Sequence, residues 1–262
     1  MFKKWFHACR PWSLTAAFVP VSLGAALAWG EGTLNWWLLA LTLVGGGAIQ
    51  IGTNLFNTWG DYVSGVDTPE SATSVVELVH KVFTPGQIRR AGFVAMGIAA
   101  LVGVYFVALR GWPILLLGLF GIAAGISYTA GPFRYKYTGV GSLAVFFLMG
   151  PLMAWGSYYL QTGSHSWTCV LASLPVGFLV SAILHANDMR DLKHDRGAGI
   201  RTGALFLGRL SLAHFFLLNV GAYVVLVSLV ATGVLPWLAL APLLALPKAA
   251  GHVGDAGRGW AG

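Results

Sequence analysis

The sequence predicts an all-α fold, a polytopic membrane bundle of seven or eight spans around a central cavity with cytoplasmic Asp-rich loops. Three observations predict it. Apolar residues make up 56% of the 262 residues and charged residues only 10%, whereas an ordinary soluble domain carries about 25% charged residues. Apolar runs of roughly twenty residues, the length of helix that crosses a hydrocarbon core of about 30 Å, recur along the chain. Basic residues then collect in alternate connections between those runs. The same figures exclude disorder, since 13% of the chain is aromatic, and the two cysteines exclude a disulfide scaffold. Thirty-five glycines suit close helix packing in lipid.

Taken in order, the runs fall near 11–30, 35–59, 91–109, 112–130, 140–160, 167–187 and 209–232. An eighth, near 234–247, is short and is broken by Pro236, Pro242 and Pro247. The basic start and Ala26-Leu27-Ala28 imitate a signal peptide, but the first apolar stretch is too long for one, so an uncleaved span is expected. Residues 1–247 form one membrane domain in this reading, and residues 248–262, lacking apolar length and helical period, are expected to be a disordered tail.

With the N-terminus in the cytoplasm, 13 of the 16 Lys and Arg fall on the inner side: Lys3, Lys4, Arg10, Lys81, Arg89, Arg90, Arg134, Lys136, Arg190, Lys193, Arg196, Arg201 and Arg209. The positive-inside rule is then obeyed, so the N-terminus and the Asp-rich loops are expected on the cytoplasmic side of the cell's inner membrane, and the net charge of +7 reads as topology and not as nucleic-acid binding. Cys9 and Cys169 fall near opposite membrane faces, so no disulfide is expected.

Seven of the nine acidic residues occupy two inner loops: Asp61, Asp67, Glu70 and Glu77 in one, and Asp188, Asp191 and Asp195 in the other. Each cluster sits at the end of an apolar run. On a helix Asn57 shares a face with Asp61, and Asn187 shares one with Asp191 and Asp195 at steps of four. Converging carboxylates repel one another unless a cation neutralises them. Oxygen-only ligands with open positions suit Mg²⁺, which takes one or two carboxylates, waters and substrate phosphate. The two clusters lie four spans apart, which predicts a duplicated four-helix unit whose acidic loops meet over one cavity. A transporter would instead carry ionisable residues near mid-membrane, and here the mid-span segments contain no Asp, Glu, Lys or Arg. His80, His185 and His194 lack soft-metal spacing and read as loop or helix-end residues.

These residues resemble those of the UbiA-type intramembrane aromatic prenyltransferases, and among them the 1,4-dihydroxy-2-naphthoate branch of menaquinone synthesis. The resemblance runs from Arg10-Pro11-Trp12 through Asn57–Pro69, Tyr128–Pro132, Gly139–Gly141, Gly150-Pro151 and Tyr158–Gly163 to Asn187–Arg196, Gly199, Arg201-Thr202 and Leu207–Arg209. It implies a helical bundle open laterally to lipid, in which two Asp-rich motifs hold Mg²⁺ against the diphosphate of a polyprenyl donor. Ionisation of the allylic C–O bond precedes attack by a small aromatic acceptor, and in the naphthoate branch the ring loses its carboxylate. Matched position by position, Asn57, Asp61, Asp67, Asn187, Asp191 and Asp195 become metal ligands, with Asp61 and Asp191 central to catalysis. Lys81, Lys136, Arg10, Arg190 and Arg201 become diphosphate-binding cations, and Tyr128 a wall for the carbocation. The chain departs from the pattern at Thr58, at Ser74-Val75-Val76-Glu77, at Ser142 and at Ile200.

Overall fold

The computed structural model describes residues 1–68, 76–248 and 251, apart from the side chains of Phe2, Val76 and Glu77. Glu70, the Ser74-Val75 departure and the expected tail, except Lys248 and Gly251, lie outside the described residues. Those residues are almost entirely helical, and their sole β feature is a single bridge between Thr138 and Arg201.

In chain order the α-helices are α1 (Phe2–Ala8), α2 (Thr15–Gly30), α3 (Trp36–Val63), α4 (Val76–Val79), α5 (Pro85–Arg110), α6 (Trp112–Ser127), α7 (Gly141–Phe147), α8 (Met153–Thr162), α9 (Trp167–Arg190), α10 (Leu192–Gly197), α11 (Gly203–Leu207) and α12 (Ser211–Ala231). A π turn at Leu148–Leu152 joins α7 to α8 into one span. Six stretches are long and apolar enough to cross a bilayer: Pro11–Gly30, Trp36–Val63, Pro85–Arg110, Gly141–Thr162, Trp167–Arg190 and Gly203–Ala231. Trp112–Ser127 and Trp237–Lys248 are shorter apolar helices, so the expected seven or eight spans become six with two shorter companions.

Local chemistry sets the ends. Asn35 caps α3 by accepting the Trp37 and Leu38 N–H groups, and Thr84 with Gln87 forms a capping box that starts α5 six residues before the apolar run expected at 91–109. Gly111, at φ 76°, is the sole link between α5 and α6, so those two helices pack as a tight antiparallel pair. α6 stops at Ser127 because the chain turns at Tyr128–Gly131, with Gly131 at φ 73°.

The packing falls into two halves. In the first, α3 packs mainly on α5, with α6 beside both; in the second, α9 packs mainly on α12. The halves meet where α2 packs against α8. Gly24 makes this approach possible: a Cβ there would lie 2.2 Å from the Ala154 carbonyl oxygen. Ser157 donates to the Val21 carbonyl at 2.7 Å across the same contact. Lipid-facing positions such as Leu101, Val104, Leu116 and Leu217 remain exposed, as a bundle without a polar surface requires. Both cysteines are free.

Candidate active site

The C-terminal end of α3 is built to receive a loop. Gly60 has no side chain, so Thr129 can lie against the helix; a Cβ at Gly60 would come within 2.8 Å of the Thr129 carbonyl oxygen. Thr129 in turn donates to the Phe56 carbonyl at 3.1 Å. With its first residues fixed there, the loop that follows α6 carries Tyr135, Lys136 and Tyr137 over the acidic end of α3. Lys136 Nζ donates to Asp61 Oδ2 at 2.7 Å and to Asn57 Oδ1 at 3.2 Å. The Tyr137 hydroxyl donates to the other oxygen of Asp61. Asp67 folds back beside Asp61, its N–H donating to the Asp61 carbonyl at 3.2 Å.

The end of α9 is organised differently. Arg190 forms a two-pronged contact with Asp191, at 2.7 and 2.6 Å, and reaches Asn187 Oδ1 at 3.2 Å. Asp188 and Asp195 point the other way and are buried. Asp188 accepts the N–H of Gly203, the first residue of α11, at 3.1 Å, and Asp195 accepts from the Thr202 hydroxyl at 3.2 Å. These two bonds fold the segment after α10 back against α9. Below them His185 is fully buried, its Nε2 2.9 Å from the Ser211 hydroxyl.

The acids of the two ends share one electrostatic environment. Asp67 feels the negative charge of both Asp61 and Asp191, and Lys136 feels Asp61, Asp67 and Asp188. Burial, with the Asp61 charge adding to it, pushes the Asp67 carboxyl up to about 7. Burial likewise pushes Asp195 up to about 6. Burial alone would lower Lys136, but the charge of Asp61 and its hydrogen bond outweigh that and hold the ammonium above its ordinary value.

Asp67 Oδ2 is buried and has no hydrogen-bond partner among the described residues. An ionised oxygen in that position calls for a cation, and the donors around it are hard carboxylate and amide oxygens. Among the described residues no three Asp, Glu, His or Cys side chains form a ready cage. That donor set fits Mg²⁺, which needs only one or two carboxylates and keeps sites for water and phosphate. It does not fit zinc.

Directly beneath this mouth lies a cavity of about 750 Å³. Asn57 and Asn187, one from each motif, both line it, as do Arg10, Tyr128 and Tyr135. Its deeper walls are apolar and come from α5, α6 and the α7–α8 span, including Phe106, Ile114, Leu117 and Leu148. Tyr128 is buried, with its ring 5.3 Å from Tyr135 and 6.0 Å from the Lys136 ammonium.

The structure therefore brings together Asn57, Asp61, Asp67, Lys136, Tyr128 and Arg10 around the first motif, and Asn187, Arg190 and Asp191 around the second. Asp195 is turned inward onto Thr202. Lys81 and Arg201 are exposed and are not among the residues that line the cavity; Lys81 sits in a turn at φ 54°, and Arg201 bridges to Thr138. Thr58, where an acid is common in the pattern, is buried and accepts from Arg10 at 3.2 Å. Sequence reasoning missed Tyr137, whose place beside Lys136 was the available signal. It also passed over Gln50 and Asn54, uncharged but polar within a membrane span.

The bundle is thus an intramembrane protein with an apolar cavity that is capped at one end by two acidic helix ends. Residues 17–253 match the family model described as the UbiA prenyltransferase family, and the chain belongs to that family. It is a prenyltransferase and a multi-pass membrane protein. It is 36% identical to a 1,4-dihydroxy-2-naphthoate octaprenyltransferase of Bacillus subtilis over 91% of this chain and 77% of that one. It is 32% identical to the Mycobacterium tuberculosis protein of the same name over 98% of this chain and 88% of the relative. Among solved structures, a UbiA homolog from Archaeoglobus fulgidus bound to DMAPP and Mg²⁺ superposes with a TM-score of 0.63, covering 86% of this chain and 77% of that one, at 13% identity. At that identity the likeness concerns the fold.

Proposed function

We propose that the protein transfers a polyprenyl group from its diphosphate to 1,4-dihydroxy-2-naphthoate in a Mg²⁺-dependent reaction of menaquinone synthesis, with the acidic mouth on the cytoplasmic side of the inner membrane. The observation that carries this reading is the meeting of two Asn-x-x-x-Asp helix ends and Lys136 over one apolar cavity. Asn57, Asp61 and Asp67 on one side, with Asn187 and Asp191 on the other, would hold the metal. When bound, Mg²⁺ supplies the positive charge that draws electron density onto the leaving diphosphate.

The protein's own residues do the rest. Lys136 and Arg190 release the carboxylates they neutralise and turn toward diphosphate oxygens. The allylic C–O bond breaks with its electron pair leaving on diphosphate. The faces of Tyr128 and Tyr135 then stabilise the allylic cation, and the apolar walls keep water from capturing it. The ring carbon that bears the carboxylate supplies the pair for the new C–C bond, and the carboxylate departs from that carbon as CO₂, the pair of the broken bond returning to the ring.

The names of the Bacillus and Mycobacterium relatives support the naphthoate acceptor, and the archaeal structure supports the metal and donor. Purified protein given Mg²⁺, labelled polyprenyl diphosphate and 1,4-dihydroxy-2-naphthoate should form product that chelator abolishes. Donor binding without product from any aromatic acceptor would contradict this reading.

A further inference from the structure

Of the described residues before Arg10, none lines the cavity. The first crossing stretch begins at Pro11, and Arg10, at φ 49° in the left-handed region, breaks the chain between it and α1. The short helix so set apart has three sides. Trp5 and Ala8, three apart, share the side that meets the bundle. Ala8 is buried with Leu55, Leu78, Phe83 and Ile88, and the Trp5 ring lies 4.2 Å from that of Phe83. Lys3 and His7, four apart, share a second side, with Lys4 between it and Ala8, and all three are exposed. Phe6 occupies the third side and is 52% exposed; Trp12, just past the break, is 60% exposed. The His7 ring is 6.3 Å from Phe6 and 6.0 Å from Trp12, which joins them into one aromatic edge.

Neither water nor hydrocarbon alone suits such a helix. At the boundary between them the rings enter the acyl edge while the ammonium groups stay among headgroups. Lys3, Lys4 and Lys81 pair with no carboxylate among the described residues, and Lys81 lies two residues from Phe83, on which Trp5 packs. The matching anion is then the phosphate of a lipid headgroup. We propose that α1 is an interfacial strap that takes anionic lipid headgroups through Lys3, Lys4 and Lys81 and, through Trp5 and Ala8, holds the first acidic loop against the bundle.

The strap reaches the first motif by two routes. Leu78 and Phe83 belong to the connection that leaves α3 after Val63, carries Asp67 and enters α5 at Pro85. Beyond α1, the Cys9 carbonyl accepts from Asn54 Nδ2 at 3.3 Å and Arg10 Nη2 donates to the Thr58 hydroxyl at 3.2 Å. Both partners stand on α3 within one turn of Asn57. A headgroup that orders α1 therefore orders the loop beside Asp61. This coupling holds whether or not the protein transfers prenyl groups, and its test reads no catalysis.

Hydrogen exchange by mass spectrometry tests it on the full chain in nanodiscs, one set of phosphatidylcholine and one in which a third of the lipid is phosphatidylglycerol. A lysine at an anionic surface contributes about fivefold, so the amides of Trp5, Cys9 and Arg10 should exchange about 25-fold more slowly in the anionic discs through Lys3 and Lys4 together. Residues 78–83 should slow with them, while the distant start of α9 should not change. Lys3→Gln combined with Lys4→Gln should remove the difference, as should high salt. Trp5→Ala should keep the lipid response of α1 and lose that of residues 78–83, with α9 again reporting that the variant is folded. Equal exchange of wild-type α1 in both lipids would overturn the proposal, as would a double glutamine variant that still responds. Inorganic phosphate that slows α1 equally in neutral discs would assign the lysines to a free anion and overturn the lipid assignment. A lipid response of residues 78–83 that survives Trp5→Ala would overturn the strap.

Discussion

The two halves of the molecule carry the same motif and use it unequally. α3 and α9 both end in Asn-x-x-x-Asp, and each packs on the long helix that follows its acidic loop, α5 or α12. Yet α3 lines the cavity from Thr42 up to Asn57, whereas α9 contributes only Val180, Ile183, Leu184 and Asn187 near the mouth. α5 lines the cavity and α12 does not. The charges differ too. Asp61 is neutralised by a half-buried lysine from a distant loop, with side-chain exposures of 6% for the acid and 17% for the base, while Asp191 is neutralised by its own neighbour Arg190, at 31% and 51%. The mouth draws on both halves alike, whereas the cavity beneath it is lined by α3, α5, α6 and the α7–α8 span, with α12 outside it.

The symmetric part should respond symmetrically. Asp61→Ala and Asp191→Ala should each lower prenyl transfer by about 10³-fold, the scale expected when preorganised charge at a reacting centre is lost, as measured by labelled product. A large loss in one variant alone would show that the duplicated motif is no longer shared. The counterions should respond asymmetrically. Lys136→Met strands a buried carboxylate and should destabilise the metal-free protein by about 3 kcal/mol, whereas Arg190→Met breaks an exposed pair and should cost about 0.5 kcal/mol. Denaturation in chelator compares the two, and Mg²⁺ should recover part of the loss in Lys136→Met.

The seam between the halves should be less sensitive. Gly24→Val would drive a side chain into the Ala154 backbone and should cost about 2 kcal/mol, lowering the Tm. The smallest effect expected is on pH dependence. Asp67 and Asp195 have folded values of about 7 and 6 against an ordinary 3.8, so the fold favours their protonated forms. Metal-free stability should therefore fall as pH rises from about 4 through 7. Mg²⁺ affinity should rise over the upper part of that range as bound protons are displaced, by about tenfold between pH 5.5 and 7.5. Asp67→Asn should flatten the part of that rise near 7, as read by titration calorimetry.

How far the sequence revealed all this depended on how local the signal was. The apolar runs gave the bundle because a bilayer imposes one length on every crossing helix. Acids were so scarce elsewhere that Asp61 and Asp191 stood out, and their four-span spacing pointed to one mouth. Lys136 was legible as a basic residue beside a Gly-Pro turn, but its contact with Asp61 depends on Thr129 docking at Gly60, a long-range fit with no periodic trace. Lys81 and Arg201 show the opposite case, basic residues near the motifs that the chain turns outward. Gln50 and Asn54 escaped notice because they are neutral, and a search for charge within spans does not see amides. α6 was expected to run to residue 130, but it ends at Ser127, where the turn to Gly131 positions Tyr128 over the cavity.

The most direct measurement uses Mn²⁺ in place of Mg²⁺ with a non-hydrolysable prenyl diphosphate, following metal binding by electron paramagnetic resonance in wild type, Asp61→Asn and Asp191→Asn. If both helix ends grip a common metal–diphosphate group, donor and Mn²⁺ bind together in the wild type and either substitution abolishes the joint complex. If one variant still forms the complex with wild-type affinity, the two ends act apart and the shared mouth is contradicted.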